Sequence, residues 1–169
     1  MPMDWEAEFV FRAILIGVGA TATMDIWAVV MKRAFGVPSL NYGFVGRWLG
    51  HMRHGQFAHE SIAEAPPIAG EQIIGWSAHY VIGVIFAGLF LFVLGVDWAR
   101  DPTLLPAVLF GIVTVSAPFF VMQPGMGLGF AAAKAPKSNI ARLRSLIAHT
   151  SFGFGLFLAT WSAAQVFQI

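Results

Sequence analysis

The residues best equipped for chemistry in this chain lie in or beside apolar runs. Asp25, His79 and His149 fall inside such runs, Glu71 stands just before one, and Gln123 closes another. Carboxylates and imidazoles inside a membrane bind cations, relay protons or pair with one another, and they are expensive there without a role. Neutral imidazole is also the commonest metal ligand, so His79 and His149 could hold haem iron or a divalent metal across a helical bundle. Each residue has a plainer reading. Asp25 could pair with Lys32 or Arg33 about two turns on, and either histidine could bond a neighbouring helix only to hold it.

The chain has no cysteine, which excludes disulfides, thiolate metal sites and iron–sulfur ligation. No covalent haem attachment motif and no Glu-x-x-His pair of a di-iron bundle occurs. Ser77-Ala78-His79-Tyr80-Val81-Ile82-Gly83 and Ile147-Ala148-His149-Thr150-Ser151-Phe152-Gly153 share an Ala-His-x-x-x-Gly pattern. The glycine one turn past each histidine shares its helix face. It leaves room either for a flat ligand or for close helix packing. The repeated pattern suggests two related helical hairpins about an axis along the membrane normal.

The elements that position these residues follow from composition. Of 169 residues, 57% are hydrophobic and 11% charged, against roughly 25% charged in a soluble domain, and the mean hydropathy is +0.71. So small a body cannot hide that much apolar side chain from water, and lipid is the natural solvent for the excess. The expectation is an all-α integral membrane four-helix bundle, a single domain over residues 1–169. Its spans are expected at about 9–31, 73–96, 103–122 and 146–169, each near the roughly 20 residues that cross a bilayer. Asp4, Glu6 and Glu8 precede the first run where a secretory signal would be basic, so that helix is read as retained. Asp101-Pro102 supplies a cap and a first-turn proline for the third span, and Pro118 is expected to bend it.

Orientation follows from the basic residues. Lys32, Arg33, Arg47 and Arg53 lie between spans one and two, and Lys134, Lys137, Arg142 and Arg144 between spans three and four, with only Arg12 and Arg100 on the other side. That bias places both large loops in the cytoplasm and both termini outside. Trp5, Trp98 and Trp161 then mark the outer interface, and Trp27, Trp48 and Trp76 the inner one. Asp25, Glu71, His79, Gln123 and His149 all fall in the cytoplasmic half, as one ligand-binding cluster open to the cytosol. The net charge of +1 gives no case for nucleic acid.

The first cytoplasmic loop carries Tyr42, Val45, Trp48, Leu49 and Met52 at helical spacing. Arg47, His51 and His54 form an opposing stripe. The pattern describes an amphipathic helix on the membrane surface, with Arg47, Trp48, His51 and His54 at the headgroup level. His59, Glu60 and Glu64 read as solvated loop positions, and Pro66-Pro67 closes the loop. The glycine-rich stretch Gln123 to Phe130 follows a helix and not a strand, so it reads as a sharp packed turn ahead of a phosphate cradle.

The runs Gly19–Asp25, Ala65–Glu71, Ala78–Tyr80, Ala117–Gly127 and Ala141–Leu146 resemble the bacterial membrane family called domain of unknown function 2938. A more distant similarity, through the histidine–glycine pattern in two helices, is to the YagU family. The resemblance covers nearly the whole chain and implies a four-span, multi-pass protein of the bacterial inner membrane. It carries no activity over to any residue. Three functions stay open: a module binding or transporting a small ligand, cation or proton; a haem- or metal-binding redox protein, or one acting on lipid or quinone; and an accessory subunit of a larger complex. Four helices are few for a transport route, so a homo-oligomer or larger membrane complex is the expected partner beside the bilayer.

Overall fold

The computed structural model describes residues 4–167, whose regular structure is all helical, with no strand among them. The order is α1 (Trp5–Phe35), α2 (Tyr42–Met52), α3 (Glu71–Leu94), α4 (Leu104–Thr114), the short α5 (Gln123–Gly125) and α6 (Ser138–Phe167). Four stretches are long and apolar enough to cross a membrane: Trp5–Phe35, Glu71–Leu94, Leu104–Gly125 and Ser138–Gln165. Only 22% of the most apolar window in each of the first three is buried. Side chains such as Phe92, Val93, Leu105 and Val113 stay uncovered, and surface of that kind calls for lipid.

Helix boundaries extend past the apolar runs because hydropathy marks the part that suits lipid, not where hydrogen bonding stops. α1 runs four residues further at each end than 9–31, and stops at Gly36. There the backbone turns left-handed (φ 65°) and its N–H and that of Val37 bond back to Lys32 and Met31, a glycine-terminated helix end. α6 begins at Ser138, eight residues before the expected 146, and residues 168–169 of that span lie outside the described residues. α4 begins at Leu104, beyond the expected cap at Asp101.

The third span is broken. Regular helix ends at Thr114, and Pro118–Met122 forms a π-turn before α5. Pro118 has no amide hydrogen for the Thr114 carbonyl, and the ladder resumes with Phe119 N–H on Val115 at 3.0 Å.

Contacts divide the chain into two units. The first comprises Met1–Pro38, Tyr80–Val113 and Ala148–Ile169. Parts of four helices share its core, where Ile16 and Ala20 of α1, Phe90 and Leu91 of α3, Ala107 of α4 and Phe152 and Leu156 of α6 are buried together. Glycines set the spacing. A Cβ on Gly17 would lie 2.5 Å from the Val84 Cα, and one on Gly111 would lie 2.5 Å from the Gly153 Cα. One on Gly155 would lie 2.7 Å from the Ala20 Cα. Backbones this close are what small residues permit in membrane helices.

The second unit comprises Ser39–His79 and Thr114–Ile147. Its core is Val45 and Trp48 of α2, Ile62 of the following loop and Met126. Asn41 caps α2, accepting from the Gly43 N–H at 3.0 Å.

Candidate functional site

The helical stripe expected over residues 42–52 forms, but the loop after it covers both of its faces. Arg47, Trp48 and His51 are each only 8% exposed. All three are covered by the chain itself, and of the four residues expected at the headgroup level only His54 is exposed. The cause is the loop's own backbone. Arg47 Nη1 donates to the carbonyls of Ile62, Ala63 and Ala65. Trp48 Nε1 donates to Phe57 at 2.8 Å, and His51 Nε2 lies 3.0 Å from the Pro66 carbonyl. The loop has no helical ladder to satisfy its carbonyls, and these side chains supply donors to them, the Ile62 carbonyl in a fully buried bond.

Glu71 is committed to the same scaffold. Its two oxygens take Arg47 Nε and Nη2 at 2.8 and 2.9 Å, and one also accepts the Ile68 N–H. This bidentate fork fixes both partners. The hydrogen bond to Glu71 outweighs desolvation and raises the Arg47 pKa above its ordinary value, so the guanidinium stays charged.

His79 and Asp25 are held differently. The Tyr42 hydroxyl lies 2.9 Å from His79 Nε2, and the two rings stack at 4.3 Å between centroids. The Tyr80 hydroxyl donates to Asp25 Oδ2 at 3.0 Å. The chain has sixteen phenylalanines and two tyrosines, and both tyrosine hydroxyls thus serve a candidate site residue. Tyr42 and Tyr80 are absent from the sequence-based candidates, although their scarcity beside so many phenylalanines is a signal that they are chosen for the hydroxyl.

Asp25 and His149 belong to one unit. Gly19 packs on Ala159 and Gly155 on Ala20, so α1 and α6 run antiparallel, and that register sets Asp25 level with the turn from His149 to Gly153. Asp25, His79 and His149 are all partly buried. Gln123 is buried, its Nε2 3.3 Å from Ser145 Oγ and its Oε1 without a hydrogen-bond partner. Among the described residues no three His, Cys, Asp or Glu side chains gather as a metal site, and His79 Nε2 is already engaged by Tyr42.

The glycines of the two Ala-His-x-x-x-Gly segments face helices, not ligands. Gly83 meets Thr21 and the Gly17 carbonyl; Gly153 meets Ala107, Val108 and Gly111. The glycine-rich stretch is a packed turn. Gly125 lies against the Trp48 indole, and Gly127, at φ 90°, has the Glu60 carbonyl where a side chain would point, which leaves no cradle for phosphate.

His59, read from the sequence as a solvated loop position, is half-buried, with its Nε2 2.7 Å from His51 Nδ1. At the start of α6, Lys137 and Arg144 line a groove of about 300 Å³ floored by Ala135, Ile140 and Ala141.

Four long apolar helices carrying a few partnered polar groups define a multi-pass helical membrane protein. The chain belongs to the family described as protein of unknown function (DUF2938), whose model matches residues 14–163. No curated protein and no solved structure matches it. The expected distant likeness to the YagU family is not shown.

Proposed function

We propose that this is a bacterial inner-membrane protein that binds protons or small cations at two separate positions in the cytoplasmic half of its spans, Asp25 in the first unit and His79 in the second. One observation carries the reading: the only two tyrosines of the chain place their hydroxyls on these two ionisable groups, at 3.0 and 2.9 Å. A hydroxyl holds a carboxylate or an imidazole in place without neutralising it as an arginine would, and it can accept as well as donate a hydrogen. That contrasts with Glu71, which a guanidinium holds in an ion pair. The level register of Asp25 with the His149 turn supports adding His149 to the same function. Glu71 positions the scaffold, and Gln123 offers one buried, unpaired acceptor oxygen.

Haem or metal ligation through His79 Nε2 would first have to break the Tyr42 bond, which favours the proton or cation reading. The basic residues favour cytoplasmic loops and external termini. The groove lined by Lys137 and Arg144 suits anionic headgroups at that face. The matching close contacts Gly17–Gly83 and Gly111–Gly153 favour two related hairpins.

The test is thermal stability of the detergent-solubilised protein against pH, monovalent and divalent cations, haem and quinones. A species that binds only the folded state must raise the melting temperature. Protons or a cation should produce a shift that Asp25→Asn with His79→Gln removes. A shift from haem alone, or from nothing, overturns the reading. Because the chain lacks cysteine, single cysteines at Lys134 and Trp98 report orientation without background, and labelling of Lys134→Cys from outside intact cells would overturn the topology.

A further inference from the structure

His51 and His59 form a hydrogen-bonded chain whose protons can be counted. His51 Nε2 lies 3.0 Å from the Pro66 carbonyl oxygen, His51 Nδ1 lies 2.7 Å from His59 Nε2, and His59 Nδ1 lies 3.3 Å from the Gly125 carbonyl oxygen. A carbonyl oxygen only accepts, so both outer nitrogens must carry hydrogen, and the central contact needs one hydrogen more. Three N–H groups are required. Two neutral imidazoles supply two.

We infer that His51 and His59 are a proton-binding site in which two imidazoles hold one extra proton between two backbone carbonyls. His51 then donates from Nε2 and accepts at Nδ1, while His59 donates from both nitrogens. The proton fastens a particular piece of chain. The His59 and Ile62 amides bond to the carbonyls of Gly125 and Met126 at 3.0 and 3.1 Å, and the Trp48 indole bonds to Phe57. Residues 56–66 are thus laid along the turn that follows the π-turn of the third span. Removing the extra proton leaves a ring lone pair facing a carbonyl, the weakest outcome falling on the 3.3 Å contact to Gly125. The segment then loses its side-chain tie to that turn.

The surrounding charges can be named element by element. On α2, Arg47 is the nearby cation, and at the start of α3 Glu71 is paired with it and lies within electrostatic reach of His51. His51 sits in the last turn of α2, where the helix dipole favours positive charge. Arg53 and His54 follow it on the exposed side and oppose a further cation, while Glu60 and Glu64 on the loop favour one. The turn 123–127 contributes no charge. Arg47 and Glu71 offset each other, so the balance leaves room for one added proton. This site is separate from Asp25 and His79, and its test reads neither.

The experiment uses the full chain in lipid nanodiscs with nitrogen-15 labelled imidazoles. The pair should show three protonated ring nitrogens, with one ring protonated on both, and His59→Gln should remove that signature while His54→Gln keeps it. Two neutral rings across about pH 5 to 8, the range in which imidazoles titrate, would overturn the inference. Hydrogen exchange gives an independent reading. After correction for intrinsic rates, residues 56–66 should be about tenfold better protected on the acid side, the effect of one charge-assisted hydrogen bond. His59→Gln should flatten that dependence even if it lowers overall stability. Protection of 56–66 that does not vary with pH in the unaltered chain would equally overturn it.

Discussion

The two units of this chain are held together by opposite means. In the first, helices meet backbone to backbone at Gly17–Gly83, Gly111–Gly153 and Gly155–Ala20, and the core between them is aliphatic and aromatic. In the second, an apolar cluster around Trp48 is overlaid by a polar harness. One arginine serves three carbonyls and a carboxylate, one indole serves a carbonyl, and two histidines link a loop to a turn. The difference follows from the solvent each element was built for. Spans have their backbone bonds satisfied within the helix, so dispersion at small residues is enough to join them. The irregular segment 53–70 has no such ladder, and every carbonyl it buries must find a donor elsewhere.

The sharpest way to break that contrast is at Arg47. Arg47→Leu should lower the melting temperature by roughly 10 °C or more, because Glu71 and three carbonyls lose their donor together. Replacing both partners, Arg47→Leu with Glu71→Leu, should recover part of that loss, since no buried charge is stranded. A double variant as unstable as the single one would mean that the carbonyls, and not the ion pair, dominate. Thermal unfolding of the three proteins decides it.

In the first unit the corresponding blow is steric. Gly111→Ala would push a methyl to 2.5 Å from the Gly153 Cα, where backbone must move, whereas a methyl on Gly88 meets nothing closer than the Ala13 Cβ at 3.8 Å. The first should cost about 1–3 kcal/mol as overpacking and the second should fall within about 0.5 kcal/mol of the unaltered chain. Equal effects in thermal unfolding would show that helix proximity is not what holds this unit.

Much of the first unit was legible in the sequence and little of the second. Four spans follow from hydropathy, since lipid imposes one rule on every residue it touches. The stripe Tyr42, Val45, Trp48, Leu49 and Met52 was correctly seen as helical, yet the contacts made by Arg47 and His51 were not foreseen. Periodicity shows which residues share a face, but nothing in it says whether lipid or a returning loop covers that face. Arg47 meets Glu71 across 24 positions and His59 meets Gly125 across 66, distances over which spacing carries no signal. The π-turn was only half visible, as a proline expected to bend a helix. Asp25 and His79 were found because a charge or imidazole in an apolar run stands out, while their tyrosine partners were passed over as ordinary aromatics.

A smaller effect probes the second unit's harness at one atom. Trp48→Phe keeps most of the ring packed against Gly125 but leaves the Phe57 carbonyl without its indole donor, now 2.8 Å away. Phe57 itself is exposed, so water can replace the donor and the loss should be about 0.5–1.5 kcal/mol, the net worth of one hydrogen bond. The loss should appear as faster exchange of amides around residue 57 before the melting temperature moves by much, because local opening precedes global unfolding. Uniform loss of protection across the chain would argue that Trp48 acts through its volume.

The smallest expected change in stability separates the two tyrosines from the harness altogether. Tyr42→Phe and Tyr80→Phe each delete one oxygen and keep the ring, so each should cost about 0.5–1.5 kcal/mol, the ordinary worth of one hydrogen bond. If the hydroxyls only steady a helix pair, that is the whole effect, and any stabilisation by protons or cations survives in both variants. If they hold Asp25 and His79 for binding, the ligand-induced shift in melting temperature should fall well out of proportion to the stability lost. The double variant should then abolish that shift while remaining folded, as judged by its retained helical circular dichroism. An arginine could hold Asp25 more strongly than Tyr80 does, as Arg47 holds Glu71, but a fixed cation would leave the carboxylate nothing to bind. A weaker, neutral partner keeps the charge available, which is why loss of so small a group should matter to binding more than to folding.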